Sequence, residues 1–386
     1  MRWEPAVLKG IHLTLLMGPT VLIPAPSLVM DALDSVETTT AANSASGFKL
    51  SFQFSSKSAL NQILLIAGAQ MASSATPPLR VLLIVTMNGT AQTLFDGVMT
   101  RIEVQPGAYG AGGTLSMTGD DLTRMMDNVD RTGQPYPARS LEARVVEICA
   151  RYAQYGVVPL PISALYPYTP IPANQVPAQK GTDLAYLRHL AAKAGYVFYV
   201  EPGDVPGTSV AYFGPEIKVG IPQPALNVDM DAWTNVESLN FHFDSSSGVL
   251  PVVYVQLPIP HLPALPVPIP AANPLQPPLG LLPAPISRIE RLKDTAKLPP
   301  MEALSRGVAQ ASRSQDAVSA SGELDVLRYG RMLRARRLVG VRGAGLAYDG
   351  LYYVSSVTST IKRGAFKQSF GLTRNGLVSI TPRVPA

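Results

Sequence analysis

The feature that most constrains this chain is a pattern that occurs twice. Phe95-Asp96-Gly97 is followed by an alternating strand, a glycine-containing turn and Thr114-Leu115-Ser116-Met117-Thr118. Much later, Tyr348-Asp349-Gly350 is followed by Tyr352 to Val357, a turn at Lys362-Arg363-Gly364, and Gln368 to Thr373. Order matches and spacing nearly so. A lone hairpin cannot bury its apolar face, so two matching hairpins imply two copies of a larger β unit. One copy closes the first β region and the other closes the chain. The two triplets, Phe95, Asp96, Gly97 and Tyr348, Asp349, Gly350, are expected to mark corresponding places in the two copies.

The rest of the pattern divides along the chain. Residues 1–119 read as strand. Gly47 to Phe54 alternates strictly, with Phe48, Leu50, Phe52 and Phe54 on one face. Arg80 to Met87 is a fuller apolar strand ending in an Asn88-Gly89 hairpin signal. Leu60 to Met71 is expected as a short helix across one barrel end. Residues 120–215 turn to α+β. Asp120 or Asp121, Ser140 and Thr182 are candidate helix N-caps, and Gly195 fits a C-terminal stop before the strand Tyr196 to Val200. Residues 216–246 and 322–386 return to strand and make the second β unit. Between them, 247–321 reads as a proline-rich extended insert, with polyproline II character over Pro251 to Pro285, followed by a polar helix over Met301 to Ser321. The expected class is mainly β with α+β insertions: two similar antiparallel β-barrels and an α+β region between them.

Composition narrows the function. Of 386 residues, 46% are apolar, enough to bury cores and exclude global disorder. Only 15% are charged, against about one quarter in soluble proteins, which suggests a surface largely covered by partners. A net charge of +5 over this length does not indicate nucleic acid. The one cysteine, Cys149, lies on the apolar face made by Leu141, Val145, Ile148 and Tyr152, and reads as a packed hydrophobe in a protein folded in a reducing cytoplasm. The N-terminus does not read as a signal peptide, because His12 and Thr14 alternate with Ile11, Leu13 and Leu15 in a strand period, and no leader is expected. The long uncharged stretch from Ser245 to Ser287 carries too many prolines for a membrane helix, and no transmembrane anchor is expected.

Catalytic and metal chemistry leaves no signature. His12, His189, His242 and His261 form no His-Glu-x-x-His pair, and one cysteine excludes a cysteine-rich zinc site. Gly107 to Gly113 lacks the Gly-Lys-Ser/Thr ending of a phosphate loop and leads into a strand. There is no Gly-x-Ser-x-Gly elbow. No cofactor or metal is expected. The densest charge run is Arg328 to Arg337. Without interleaved aromatics for base stacking, its Arg331, Arg334, Arg336 and Arg337 point to a protein partner ahead of nucleic acid.

Three blocks resemble a known family. Gly322 to Leu333, Leu338 to Gly345, Tyr348 to Val354 and Gly364 to Arg374 are similar to the C-terminal end of the late-control-D-type phage tail proteins. Gly181 to Val200 resembles the hub part of type VI secretion spike proteins, and Gly47 to Phe54 fits it too. The resemblance implies two tube-type barrels and the role of a non-enzymatic baseplate hub. Such a hub is a homotrimer whose pseudo-sixfold ring joins a trimeric spike to a hexameric inner tube, among baseplate wedge proteins, in a particle made in the bacterial cytoplasm. As the chain stops at Ala386, the spike is expected on a separate chain. Two other classes compete. A tail-borne cell-wall hydrolase needs paired carboxylates or a metal cluster; a surface or membrane adhesion module would use the proline insert.

Overall fold

The computed structural model describes residues 10–42, 44–54, 78–107, 113–163, 176–256, 263–270, 277–282, 285–313 and 316–381. The helix expected over Leu60–Met71, the tip of the 107–113 turn and His261 lie outside the described residues.

The N-terminal region runs β1 (Ile11–Gly18), β2 (Ile23–Pro24), α1 (Ser27–Ala32), β3 (Leu33–Ala41), β4 (Gly47–Phe54), β5 (Arg80–Met87), β6 (Thr90–Gln105) and β7 (Gly113–Asp121). Alternation in β4 places Phe48, Leu50 and Phe52 inward, each at most 4% exposed, against Leu115 and Met117 of β7. Burying each such side chain contributes about 1.5–3 kcal/mol. Strand β5 is apolar from Val81 to Val85, and all five of these side chains are buried, so both its faces are covered. Val81 and Leu83 enter this first core, and Val85 enters another. The turn between β5 and β6 holds Asn88 and Gly89 at φ 49° and 79°, as a type I′ hairpin requires.

The middle region holds α2 (Leu141–Ala150), β8 (Val157–Pro161), α3 (Asp183–Ala194), β9 (Val197–Pro202) and β10 (Ser209–Gly214). Its caps are those the residues suggest. The Ser140 hydroxyl accepts from the Ala143 amide at 3.2 Å, Thr182 from Ala185 at 3.2 Å, and Gly195 ends α3 at φ 72°. Asp121 caps the 3₁₀ turn Leu122–Asp127 through the Thr123 amide. Cys149 is fully buried among Val145, Ile148 and Leu187.

The C-terminal part contains β11 (Gln223–Asn227), β12 (Ser238–Phe243), β13 (Gly248–Val255), β14 (Leu265–Pro268), β15 (Gly280–Leu282), β16 (Ile286–Arg291), α4 (Pro300–Arg313), β17 (Val318–Asp325), α5 (Val326–Tyr329), β18 (Leu338–Arg342), β19 (Gly350–Lys362), β20 (Ala365–Arg374) and β21 (Leu377–Ser379). Two expectations change here. The helix expected through Ser321 ends at Arg313, and Val318, Ala320 and Leu324 instead alternate inward in β17. Small residues disguise that alternation, and pairing with β12 and β20 on both edges decides it. The proline-rich stretch is also more structured than an extended polyproline II arm. β13 and β16 pair in parallel, β14 pairs on the other edge, and α4 packs Ala303 and Ala311 on Val253, Val255 and Ile269. Pro266 and Pro268 sit in the edge strand β14, where missing amide donors cost least. Residues 277–282 run along the second β unit: β15 pairs β21, and Leu279 packs on Leu338 and Tyr353.

The internal duplication extends well beyond one hairpin. In the N-terminal copy the strands lie side by side in the order β3-β4-β7-β6-β5-β1, and in the C-terminal copy in the order β12-β17-β20-β19-β18-β11. Numbered by position within each copy, the two orders are identical. They differ at one edge, where β1 runs antiparallel to β5 but β11 runs parallel to β18. Each copy wraps its own core, and β3 pairs with β19 to join both into one 13-stranded sheet.

Candidate assembly interface

The two Asp-Gly triplets sit on equivalent strands but are out of step. Each strand carries a bulge, at Thr100 in β6 and at Ser355 in β19. Gly97 lies three residues before its bulge and Gly350 five before its own, so the triplets are offset by two positions. Their roles differ accordingly. Asp96 is buried and takes Arg80 Nε at 2.8 Å and the Ser209 hydroxyl at 2.8 Å, while Arg80 also donates to the Gly207 carbonyl. That pair locks β10 of the middle region onto the first β unit. Asp349 instead accepts the Ala344 amide at 2.8 Å within its own loop. Gly97 is needed for close approach, since a Cβ there would lie 2.2 Å from the Asp120 carbonyl oxygen. Gly350 is needed for its φ of 123°. Phe95 is buried in the first core, whereas Tyr348 is half-buried and stacks on Phe241 at 4.7 Å.

The four arginines also divide. Arg336 is not a surface residue. Its side chain is 6% exposed, its guanidinium lies 4.1 Å over the Tyr199 ring, and it donates to the Ala41 carbonyl while facing Glu201 at 3.9 Å. It therefore ties β3, β9 and the second β unit together. The sequence gives no warning of this, because burial of an arginine depends on a joint between three distant segments. Arg337 is exposed and faces Glu201 at 3.8 Å. Arg331 and Arg334 are exposed, the latter holding Gln223 through its backbone at 2.8 and 2.9 Å.

Beside Arg336 lies a cleft of about 260 Å³ lined by Leu160, Tyr199, Tyr212, Ile217, Ile221 and Tyr353. Three of its apolar lining residues are exposed: Leu160 on β8, and Val219 and Ile221 on the loop between β10 and β11, Ile221 at 94%. Burial pushes the Tyr212 phenol up to about 12, and Tyr199 and Tyr353 higher, so all three stay neutral at pH 7. Such a cleft can seat an apolar side chain of a neighbouring chain. Two carboxylates, Glu201 and Glu216, also line it, and Glu201 is engaged by both arginines. Among the described residues there is no group of three or more histidine, cysteine, aspartate or glutamate side chains placed to hold a metal ion, and no helix long and apolar enough to cross a membrane. His12, His189 and His242 are exposed; burial and nearby Lys193 and Arg306 lower the His189 pKa.

No family model and no curated protein sequence matches the chain. Solved structures do. The 43 kDa tail protein of prophage MuSo2 from Shewanella oneidensis superposes with a TM-score of 0.62 at 13% identity, over 95% of this chain and 99% of that one. A tail protein from Neisseria meningitidis MC58 gives 0.59 at 13% identity, over 96% and 98%. An E. coli component of the type VI secretion system, itself similar to T4 phage tail proteins, gives 0.50 at 11% identity, over 92% and 78%. Over more than nine tenths of its length, the chain has the fold of these phage tail proteins and of this type VI secretion component.

Proposed function

We propose that this chain is a non-enzymatic baseplate hub, a homotrimer joining a trimeric spike to a hexameric inner tube. The observation that carries this reading is the duplicated strand order within a fold shared over almost the whole length of two phage tail proteins. A closed ring of three identical chains offers three equivalent contacts to a sixfold partner. Two similar β units per chain raise that number to six. The exposed Arg331, Arg334 and Arg337, and the apolar mouth around Ile221, would then face spike, tube or wedge proteins. The hydrolase reading has less behind it: of the two carboxylates in the cleft, Glu201 is engaged by Arg336 and Arg337. The test is the copy number in the assembled particle, by native mass or cryo-electron microscopy. Three copies at the tube end are expected. Six copies there, or two β units that fail to superpose, would overturn the reading.

A further inference from the structure

Strand β19 has a divided edge. β20 covers one side of it, while β18 and then β3 follow each other along the opposite side, at residues 350–353 and 356–362. The junction of the two β units is therefore a strand addition: the outermost strand of the first unit, β3, docks on the far half of β19. In the duplicated order, β6 is the counterpart of β19 and β12 the counterpart of β3. Among the described residues, the far half of β6, Arg101 to Gln105, has no strand on the side away from β7. Strand β12 is paired, among the described residues, only on its β17 side. Among the described residues, the chain thus carries, on β6 and on β12, the two unpaired halves of a contact that it already makes internally.

The internal ladders define a register for the counterpart contact. Matching the bulges sets Ser355 on Thr100, hence Thr358 on Glu103. Following the ladders through β7 and β4, and through β20 and β17, sets Thr39 on His242. In the internal junction Ser356, Val357, Thr358 and Ser359 face Ala41, Thr40, Thr39 and Thr38. The counterpart pairs are then Arg101 with Asp244, Ile102 with Phe243, Glu103 with His242, and Val104 with Phe241, with Gln105 facing Asn240 next. Backbone ladders alone set this register, and each pair in it is complementary. The cation meets a carboxylate, the apolar residues meet aromatic ones, the carboxylate meets an imidazole, and amide meets amide. A slip of one residue would set Arg101 on Phe243 and Ile102 on His242, and would turn Phe241 and Phe243 to the wrong face. Val104 is 38% exposed and Arg101 is 71% exposed, pairing along its own strand with Glu103 at 2.7 Å. A paired neighbour would cover both.

We infer that Arg101–Gln105 of one copy of this chain receives β12 of the next copy as an added antiparallel strand, in the register Glu103 opposite His242. The contact is head-to-tail and repeats the internal junction's geometry between chains, so it builds a ring when the rotation per junction closes. That the ring closes at three chains rests on the proposed hub role; the strand junction does not.

The test is disulfide trapping in the full chain. The native Cys149 does not interfere, since it is fully buried and its thiol is pushed up to about 12. Both Glu103 and His242 are exposed, so E103C/H242C leaves the cores intact, and the internal counterpart pair, Thr39 and Thr358, touches through hydroxyls 3.0 Å apart. Mild oxidation of concentrated E103C/H242C should link chains, and neither single variant should give more than a linked pair. A second, independent readout is charge reversal: R101E or D244R alone should weaken self-association several-fold, and the two together should restore it. Absence of the E103C/H242C link, or equal linking by E103C/N240C, overturns the junction. A link with a product ladder ending at a number other than three supports the junction and overturns the trimer; unlinked trimers overturn the junction and leave the hub reading intact.

Discussion

Asp96 and Asp349 look alike in the sequence and should behave unlike each other on mutation. Asp96→Ala leaves Arg80, which is 3% exposed, without its carboxylate in a buried site, and loses the Ser209 bond. Breaking such a pair costs about 3–5 kcal/mol. Asp349→Ala removes one acceptor from the Ala344 amide, at a cost of about 1–3 kcal/mol. Urea denaturation of both variants should show the first loss clearly exceeding the second; equal losses would contradict the buried-pair account. Cys149 gives a second expectation at this scale. With its pKa raised to about 12 by burial, almost no thiolate exists at pH 8, and the sulfur is out of reach besides. Thiol reagents should label it only as the protein unfolds, and Cys149→Ser should destabilise by about 1–3 kcal/mol for an unsatisfied hydroxyl. Rapid native labelling would refute its placement. Cys149 was legible in the sequence because four apolar residues mark its helix face. Arg336 was not, because its neighbours come from β3 and β9, far away along the chain.

Elements with a strong local period could be read directly. Strands β4 to β7, helices α2 and α3 with their Ser140 and Thr182 caps, and the hairpin β19–β20 all follow from alternation, caps and turns. Elements whose existence depends on pairing could not. β3 carries Thr38, Thr39 and Thr40 where an apolar alternation would announce a strand, and it is fixed by β4 on one side and β19 on the other. β13 and β14 hold prolines that argue against a sheet, and they are accepted because the sheet is small and Pro266 and Pro268 lie at its edge. The duplicated strand order makes a prediction for this insert. In the first unit the counterparts of β12 and β17 are joined by residues 42–46 alone. Replacing residues 245–316 by a five-residue turn should therefore leave both β units folded. The loss should be dominated by about 3–5 kcal/mol for leaving Lys218, 5% exposed, without Asp316, with a smaller part from the burial of Leu279 and the hydrogen bond from its amide to Asn375. Circular dichroism and a denaturation curve would check this; an unfolded product would mean that the insert is part of the second core.

At the scale of the molecule, the sequence showed that two related β units exist but not how they join. The hairpin pattern repeats openly, whereas the edge on which β3 lands is set by the length of β19, which exceeds what β18 can cover. The same junction bears on how the protein is made. Thr39 and Thr358, which touch across it, are 319 residues apart. At about 5–20 residues per second, a ribosome needs roughly 15 to 60 seconds to pass from one to the other. Throughout that interval β3 is an open edge, and its sequence shows how the nascent chain is kept from pairing wrongly: Asp34, Glu37 and three consecutive threonines offer a passing strand little to bury. The weak apolar signal that hides β3 from a reader of the sequence also hides it from other nascent chains on the same message, until the last strands emerge and claim it.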